Sequence, residues 1–395
     1  MVTAAGCSLK SLTRRNVRTG RVPGTLVPAD LVRRYGLEPL YRQGIYGQGE
    51  RIGFLELTDP SPADDAAFWQ RYSLDPGRNR PVRSVEVGRS AGAPGALGES
   101  DLDVQVAGAL APGAQLVAYA LDGGASLGSF LGQVYDALAQ AGRDQVRIVS
   151  CSLGVAENLF SAAGAVTSRV TGERWADPLG FSGALDDLIR SRGLAVFASA
   201  GDSGVYGGEP FGDFAPQPIW PAIQPAVVAC GGTQLLVPGE VASGEAAWGG
   251  QTLDSSLAGY SPANTLPQAS GGGGVSSLIA VPAYQSGLGY GARATPDLAA
   301  FAGPLVIVHR GQELSVWGTS AAAPITAAIA ALFHQATGRF LEHAFFYPRL
   351  KDVAQGNNWN SELMLMGLDT FDCAGPGFDL CTGAGTPELS GLIGP

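Results

Sequence analysis

The chain has 395 residues, 57 of them glycine, with a net charge of −10 and a pI near 4.8. Charged residues make up only 15%, with lysine confined to Lys10 and Lys351, so the basic footprint of a nucleic-acid binder is missing. No run of 18 apolar residues occurs, so no membrane-spanning helix is expected.

Residues 1–27 read as a flexible leader without the apolar core of a signal peptide. Residues 28–395 read as one large α/β domain. A strand is predicted at 51–57, a helix at 62–72, a helix at 99–110 and a strand at 114–121. An amphipathic helix follows at 126–140, with Phe130, Val134 and Leu138 on one face. An apolar run spans 146–154. A helix near 182–192 precedes strands at 193–201 and 225–236. From 237 to 292 glycine, serine and proline dominate, which predicts surface loops. Residues 305–314 suggest a hairpin, and 325–338 an alanine-rich helix closed by Gly338. Strands alternating with helices imply a mostly parallel sheet covered on both faces, with its site at the carboxyl ends of strands.

The five cysteines form no CxxC pair. Cys151 and Cys230 lie in apolar runs and read as buried thiols. Cys373 and Cys381 are close in a glycine-rich loop and could bridge.

The run GTSAAAP, Gly318 to Pro324, opens the alanine-rich helix. Ser320 is either a nucleophile at the positive end of that helix or a plain N-cap. Pro324 is tolerated in a first turn. A serine nucleophile needs a base, yet His309, His334 and His343 occupy no triad-like motif. His334 lies ~20 Å down the same helix at the usual rise per residue. In GESDLDVQVAGALAPGAQL, Glu99 and Asp103 stand four residues apart and share a helix face, while Asp101 should point away. They are either two carboxylates favouring a helix N-terminus or a pair aimed at one site. In AGDSG, Ala200 to Gly204, Asp202 can donate a hydrogen bond only while protonated.

These motifs, with YGQGERIGFLEL, VVACGGTQL, SGGGGVSS and RATPDLA, resemble the sedolisins, the serine-carboxyl peptidases. The resemblance runs from about Pro28 to Ile393. It implies a subtilisin-like three-layer fold with a central, mostly parallel sheet flanked by helices. It also implies Ser320 as nucleophile, Glu99 as general base, Asp103 as its orienting partner and Asp202 as oxyanion donor. KDVAQGNN with AGPGFDLCTGAG resembles the family's calcium site, with one structural Ca2+ held by Asp352, Val353, Gly375, Gly377 and Asp379. Two departures stand out. Glu56 matches a second glutamate of some members' acid network, but Leu153 replaces the tryptophan that accompanies it. Trp317 stands where a smaller residue is usual.

The expected activity is acid endopeptidase cleavage of polypeptide substrates through an acyl-enzyme. An inactive peptidase-fold binding module and a neutral-pH subtilisin are the rivals. The resemblance further implies secretion, a monomer is expected, and the acidic charge and the lack of a long apolar run argue against nucleic-acid and membrane partners. A pro-segment outside this chain would be its folding partner or inhibitor.

Overall fold

The computed structural model describes residues 17–19, 24–88, 98–122, 126–249 and 269–393. Seven strands run in the spatial order Glu245–Ala247, Val227–Leu235, Ala195–Ser199, Ile148–Cys151, Arg51–Glu56, Gln115–Ala120 and Arg83–Glu86. An eighth, Leu298–Phe301, also pairs with Val227–Leu235. Every pairing in this sheet is parallel except that of Glu245–Ala247. The central strands are apolar runs buried along nearly their whole length, as a sheet covered on both faces requires.

One apolar layer holds the helices Glu99–Leu110 and Thr319–Thr337, with Leu102, Val106, Ile325 and Ile329 inward. The other holds Leu127–Arg143 and Pro178–Arg192, with Phe130, Leu138, Phe181 and Leu185 inward. This is the α/β subtilisin-like three-layer architecture. Among the described residues no helix is long and apolar enough to cross a membrane.

Two expectations need correction. The described parts of the predicted leader, 17–19 and 24–27, join the fold. Val17–Thr19 pairs with the hairpin strand Gln312–Val316, and buried Leu26 bridges to Leu305. Segments this short carry no readable period. The stretch 237–292 is not all surface loop either. It contains strands Glu245–Ala247 and Gly274–Ala280, and Ser270–Gly273 is buried. A Cβ on Gly272 would lie 2.2 Å from the Ala200 carbonyl oxygen, and one on Gly273 1.9 Å from that of Leu380. The glycines therefore serve close packing beneath the site. The Cys373–Cys381 bridge, which the sequence left open, is not formed: both are free, the first exposed and the second buried. The Cys381 backbone N–H donates to Asp379 Oδ1 at 2.9 Å, and Cys373 forms an isolated antiparallel bridge with Asn357. Cys151 and Cys230 are buried free thiols, as expected.

One ion pair is sealed in the core. Arg293 and Asp297 are both fully buried, with Nη1 to Oδ1 at 2.7 Å. Asp297 Oδ2 also accepts the Ala229 backbone N–H at 2.7 Å, which fixes the end of its strand to the central sheet. Burial alone would raise the Asp297 pKa, but Arg293 and His343 outweigh it and hold the carboxyl well below its usual range.

Candidate active site

Helix Glu99–Leu110 starts at Gly98, whose φ of 74° is left-handed. A Cβ there would lie 2.8 Å from Ile307 Cδ1, so glycine lets the helix start against the hairpin. Glu99 is half-buried and Asp103 fully buried. Behind them, at the end of strand Arg51–Glu56, stands buried Glu56. Asp101 does turn away. It accepts the Ser61 N–H at 3.0 Å and meets His309 Nδ1 at 2.6 Å.

Each of the three carboxylates has one serine. Ser152 donates to Asp103 Oδ1 at 2.9 Å, Ser320 stands beside Glu99, and Ser100, whose hydroxyl donates to the Thr58 carbonyl at 2.7 Å, stands beside Glu56. Each also keeps one buried oxygen without a hydrogen-bond partner: Glu99 Oε1, Asp103 Oδ2 and Glu56 Oε1. Burial pushes the Glu99 carboxyl up to about 7, against the pull of the Ser320 hydroxyl and with a further push from Asp202. Burial and the Glu99 charge raise Asp103 well above its ordinary range. Burial, Asp103 and Glu99 do the same to Glu56. Neighbouring buried acids cannot all ionise, so the three titrate together and share protons.

Ser320 is the second residue of helix Thr319–Thr337 and is half-buried. The helix starts at Thr319, within the run GTSAAAP expected to open it. Pro324 therefore lies inside it rather than in its first turn. Proline has no N–H to offer the carbonyl four residues back, and here that carbonyl belongs to Ser320. It lies 3.3 Å from Ser152 Oγ instead.

Asp202 follows strand Ala195–Ser199 and reaches across to the same helix start. Its Oδ1 accepts the Thr319 N–H at 2.8 Å and lies 2.8 Å from Thr319 Oγ1. A Cβ on Gly318 would come within 2.9 Å of Asp202 Oδ2, so glycine makes room for this carboxyl. Below it, Ser270 N–H donates to the Asp202 carbonyl and Gly272 N–H to that of Gly201, at 2.9 and 2.7 Å.

The structure thus gathers Glu99, Asp103, Asp202 and Ser320 at the carboxyl end of the sheet. The histidines are engaged elsewhere. His309 holds Asp101, His334 Nδ1 lies 3.0 Å from Glu50, and His343 stacks on Tyr284. Leu153 is buried among apolar neighbours, so the acid chain ends at Glu56 without a tryptophan. Trp317 packs against Trp248, Ala269 and Ala302. The contacts that Ser152, Thr319 and Ser100 make with the acids escaped the sequence reading. Only the position of Thr319 beside Ser320 could have flagged one of them.

The five residues expected at a cation also converge. Asp352 Oδ2 accepts the Gly377 N–H at 2.9 Å, and Asp379 Oδ2 that of Gly375 at 3.0 Å. Thr382 Oγ1 spans the Val353 carbonyl and Asp379, at 3.3 and 3.1 Å. Neither aspartate forms an ion pair among the described residues. Burial raises the Asp379 pKa although Gly375, Thr382 and Cys381 N–H groups pull it down. Two acids without a counter-charge beside a main-chain carbonyl form a donor set that suits a hard cation.

A model of the subtilase family matches residues 90–349. The chain belongs to that family, in its sedolisin branch. It is 31% identical to kumamolisin of Bacillus sp. strain MN-32 over 92% of its own length and 62% of that protein. The chain therefore spans less than two thirds of that relative. It is 27% identical to human tripeptidyl-peptidase 1 over 51% of its length and 37% of the human protein. Among solved structures it is similar to Pseudomonas sedolisin, a serine-carboxyl proteinase complexed with two molecules of pseudo-iodotyrostatin. The TM-score is 0.71 at 25% identity, covering 94% of this chain and 98% of the other. The chain thus carries the fold and family signature of the subtilase family's sedolisin branch.

Proposed function

We propose that this chain is an acid-active serine-carboxyl endopeptidase. The observation that carries the reading is the placing of Ser320 beside Glu99, backed by Asp103 on the same helix face while every histidine is bound elsewhere.

Glu99, when ionised, takes the Ser320 proton as Oγ attacks the peptide carbonyl. Asp103 holds the carboxyl of Glu99 in place and shares the cluster's protons. Protonated Asp202 and the Ser320 N–H donate to the oxyanion. Glu99 then gives its proton to the departing amine, leaving an acyl group on Ser320. Water attacks that ester while Glu99 removes its proton, and Ser320 leaves with the proton returned. The peptide lies extended along Ser152–Gly154 as an added strand.

Glu99 must be ionised while Asp202 is protonated, so the rate is a bell in pH with its optimum on the acid side of 7. A pH–rate profile on a denatured protein, with fluorophosphonate labelling alongside, tests this. Expected are a maximum in acid and labelling of Ser320 there. A maximum near pH 8 that vanishes on replacing a histidine would indicate a subtilisin mechanism. Neither turnover nor labelling would indicate a binding module. Product masses decide the mode of cleavage: internal fragments support endopeptidase action, and serial tripeptides oppose it.

A structural Ca2+ held by Asp352, Asp379 and the carbonyls of Val353, Gly375 and Gly377 completes the proposal. It would neutralise the two carboxylates and lock the C-terminal loop against the strand Leu298–Phe301, where Ala299 N–H already bonds the Gly385 carbonyl at 3.0 Å. Chelation should lower Tm by several degrees, with recovery on adding Ca2+ but not Mg2+. Indifference to chelator would remove the ion from the account. Secretion, a monomeric state and an N-terminal pro-segment as partner rest on the sedolisin resemblance.

A further inference from the structure

We propose that Ser152 is a positioning residue of this site, its hydroxyl holding the buried Asp103 carboxyl and tying it to the helix turn that carries Ser320. The inference rests on the peptidase reading above and adds a component to it.

The geometry gives one hydroxyl two acceptors. Ser152 stands one residue past strand Ile148–Cys151. Its Oγ lies 2.9 Å from Asp103 Oδ1 and 3.3 Å from the Ser320 carbonyl oxygen. Asp103 is fully buried, and its other oxygen has no hydrogen-bond partner. Ser152 is its one side-chain donor among the described residues. The Ser320 carbonyl, for its part, is deprived of a helical donor by Pro324. Both acceptors would be poorly satisfied without this serine.

A hydroxyl has a single proton, so the two bonds alternate with the charge of Asp103. When Asp103 is ionised, Ser152 donates to it. When Asp103 carries a proton, its O–H donates to Ser152 Oγ, and the Ser152 proton turns to the Ser320 carbonyl. One O–H rotation thus links the charge of a buried acid to the first turn of the nucleophile's helix. Nothing is consumed, and no bond other than hydrogen bonds changes.

The groups facing Asp103 are few. Glu99 shares its helix, Glu56 ends the neighbouring strand, and Cys151 precedes Ser152. Burial pushes the Cys151 thiol up to about 12, so it stays neutral in the working range. Asp202 acts on Glu99 from the far side. No cation appears in this set, so a donated hydrogen bond is the means of favouring an ionised member. Removing it makes the cluster hold its first proton more tightly.

The test is the kcat–pH profile of Ser152→Ala, with Ser152→Thr and Glu99→Ala as companions. The expected result for Ser152→Ala is an acid limb displaced upward by about one pH unit, from the worth of a hydrogen bond to a charged group. At the wild-type optimum kcat should fall about tenfold, with KM within about twofold. Ser152→Thr keeps the hydroxyl and should keep the wild-type limb. If Ser152→Ala does not fold, a limb that stays in place for Ser152→Thr but rises for Ser152→Cys, a weaker donor, supports the same conclusion. A fall in kcat with an unmoved limb, or a change in KM alone, overturns the role of Ser152. Full acid activity in Glu99→Ala instead overturns the general-base role of Glu99 on which the inference rests, so the two failures are distinct.

Discussion

Ser320→Ala should lower kcat/KM on a polypeptide by at least ~10³-fold, about 4 kcal/mol of transition-state stabilisation. The size follows from the chemistry: no other hydroxyl shares the position of Ser320 against Glu99 at the positive end of a helix. Folding should be nearly untouched. Ser320 is half-buried in the second position of a helix, where alanine is a good helix former. Thermal unfolding should therefore match the parent while turnover and fluorophosphonate labelling disappear together. Cleavage surviving in a folded Ser320→Ala protein would end the acyl-enzyme account.

Asp202→Asn should move the alkaline limb of the rate profile upward by a unit or more and raise activity near pH 7 relative to the parent. The geometry sets the expectation. Thr319 N–H can only donate, so Asp202 Oδ1 must accept at 2.8 Å. A hydrogen bond to an oxyanion must then come from the Oδ2 side, through a proton that carboxyl loses as pH rises. An asparagine can seat its oxygen on Thr319 and present an amide N–H where the proton was, at any pH. Gly318, lacking a Cβ, leaves room for the slightly different end group. The measurement is kcat across pH 3–9 in both proteins, on the order of one point per half unit. An unmoved alkaline limb would mean that another group sets it, and Asp202 would lose its role as donor.

How far the sequence spoke depended on the length scale of the signal. Strand Arg51–Glu56 and helices Pro62–Tyr72 and Glu99–Leu110 fall within a residue of expectation because each carries a full apolar period. The four-residue spacing of Glu99 and Asp103 put both acids on one face, and the two-residue spacing sent Asp101 to His309. What stayed hidden was made by contacts distant along the chain. Ser152 lies 49 residues from Asp103 and 168 from Ser320. The buried glycines 271–273 resembled a surface loop because composition does not distinguish a bare Cα needed for flexibility from one needed for contact. Cys373 and Cys381 were near in sequence, but their side chains face different environments. Pro324 was misplaced because helix starts are set by capping geometry, and Gly318 gives no side-chain cap to announce one.

The Arg293–Asp297 pair bears on endurance in acid. A carboxyl held below its normal range supports the fold above the value it would have when unfolded, and withdraws that support only as pH falls through its lowered one. For Asp297 that withdrawal comes well below the interval in which the proposed chemistry runs. Moderate acidity, which loosens many proteins by discharging the anions of their ion pairs, leaves this knot between Ala229 and the Leu298–Phe301 strand intact. The medium that would switch the site on therefore spares the frame that carries it.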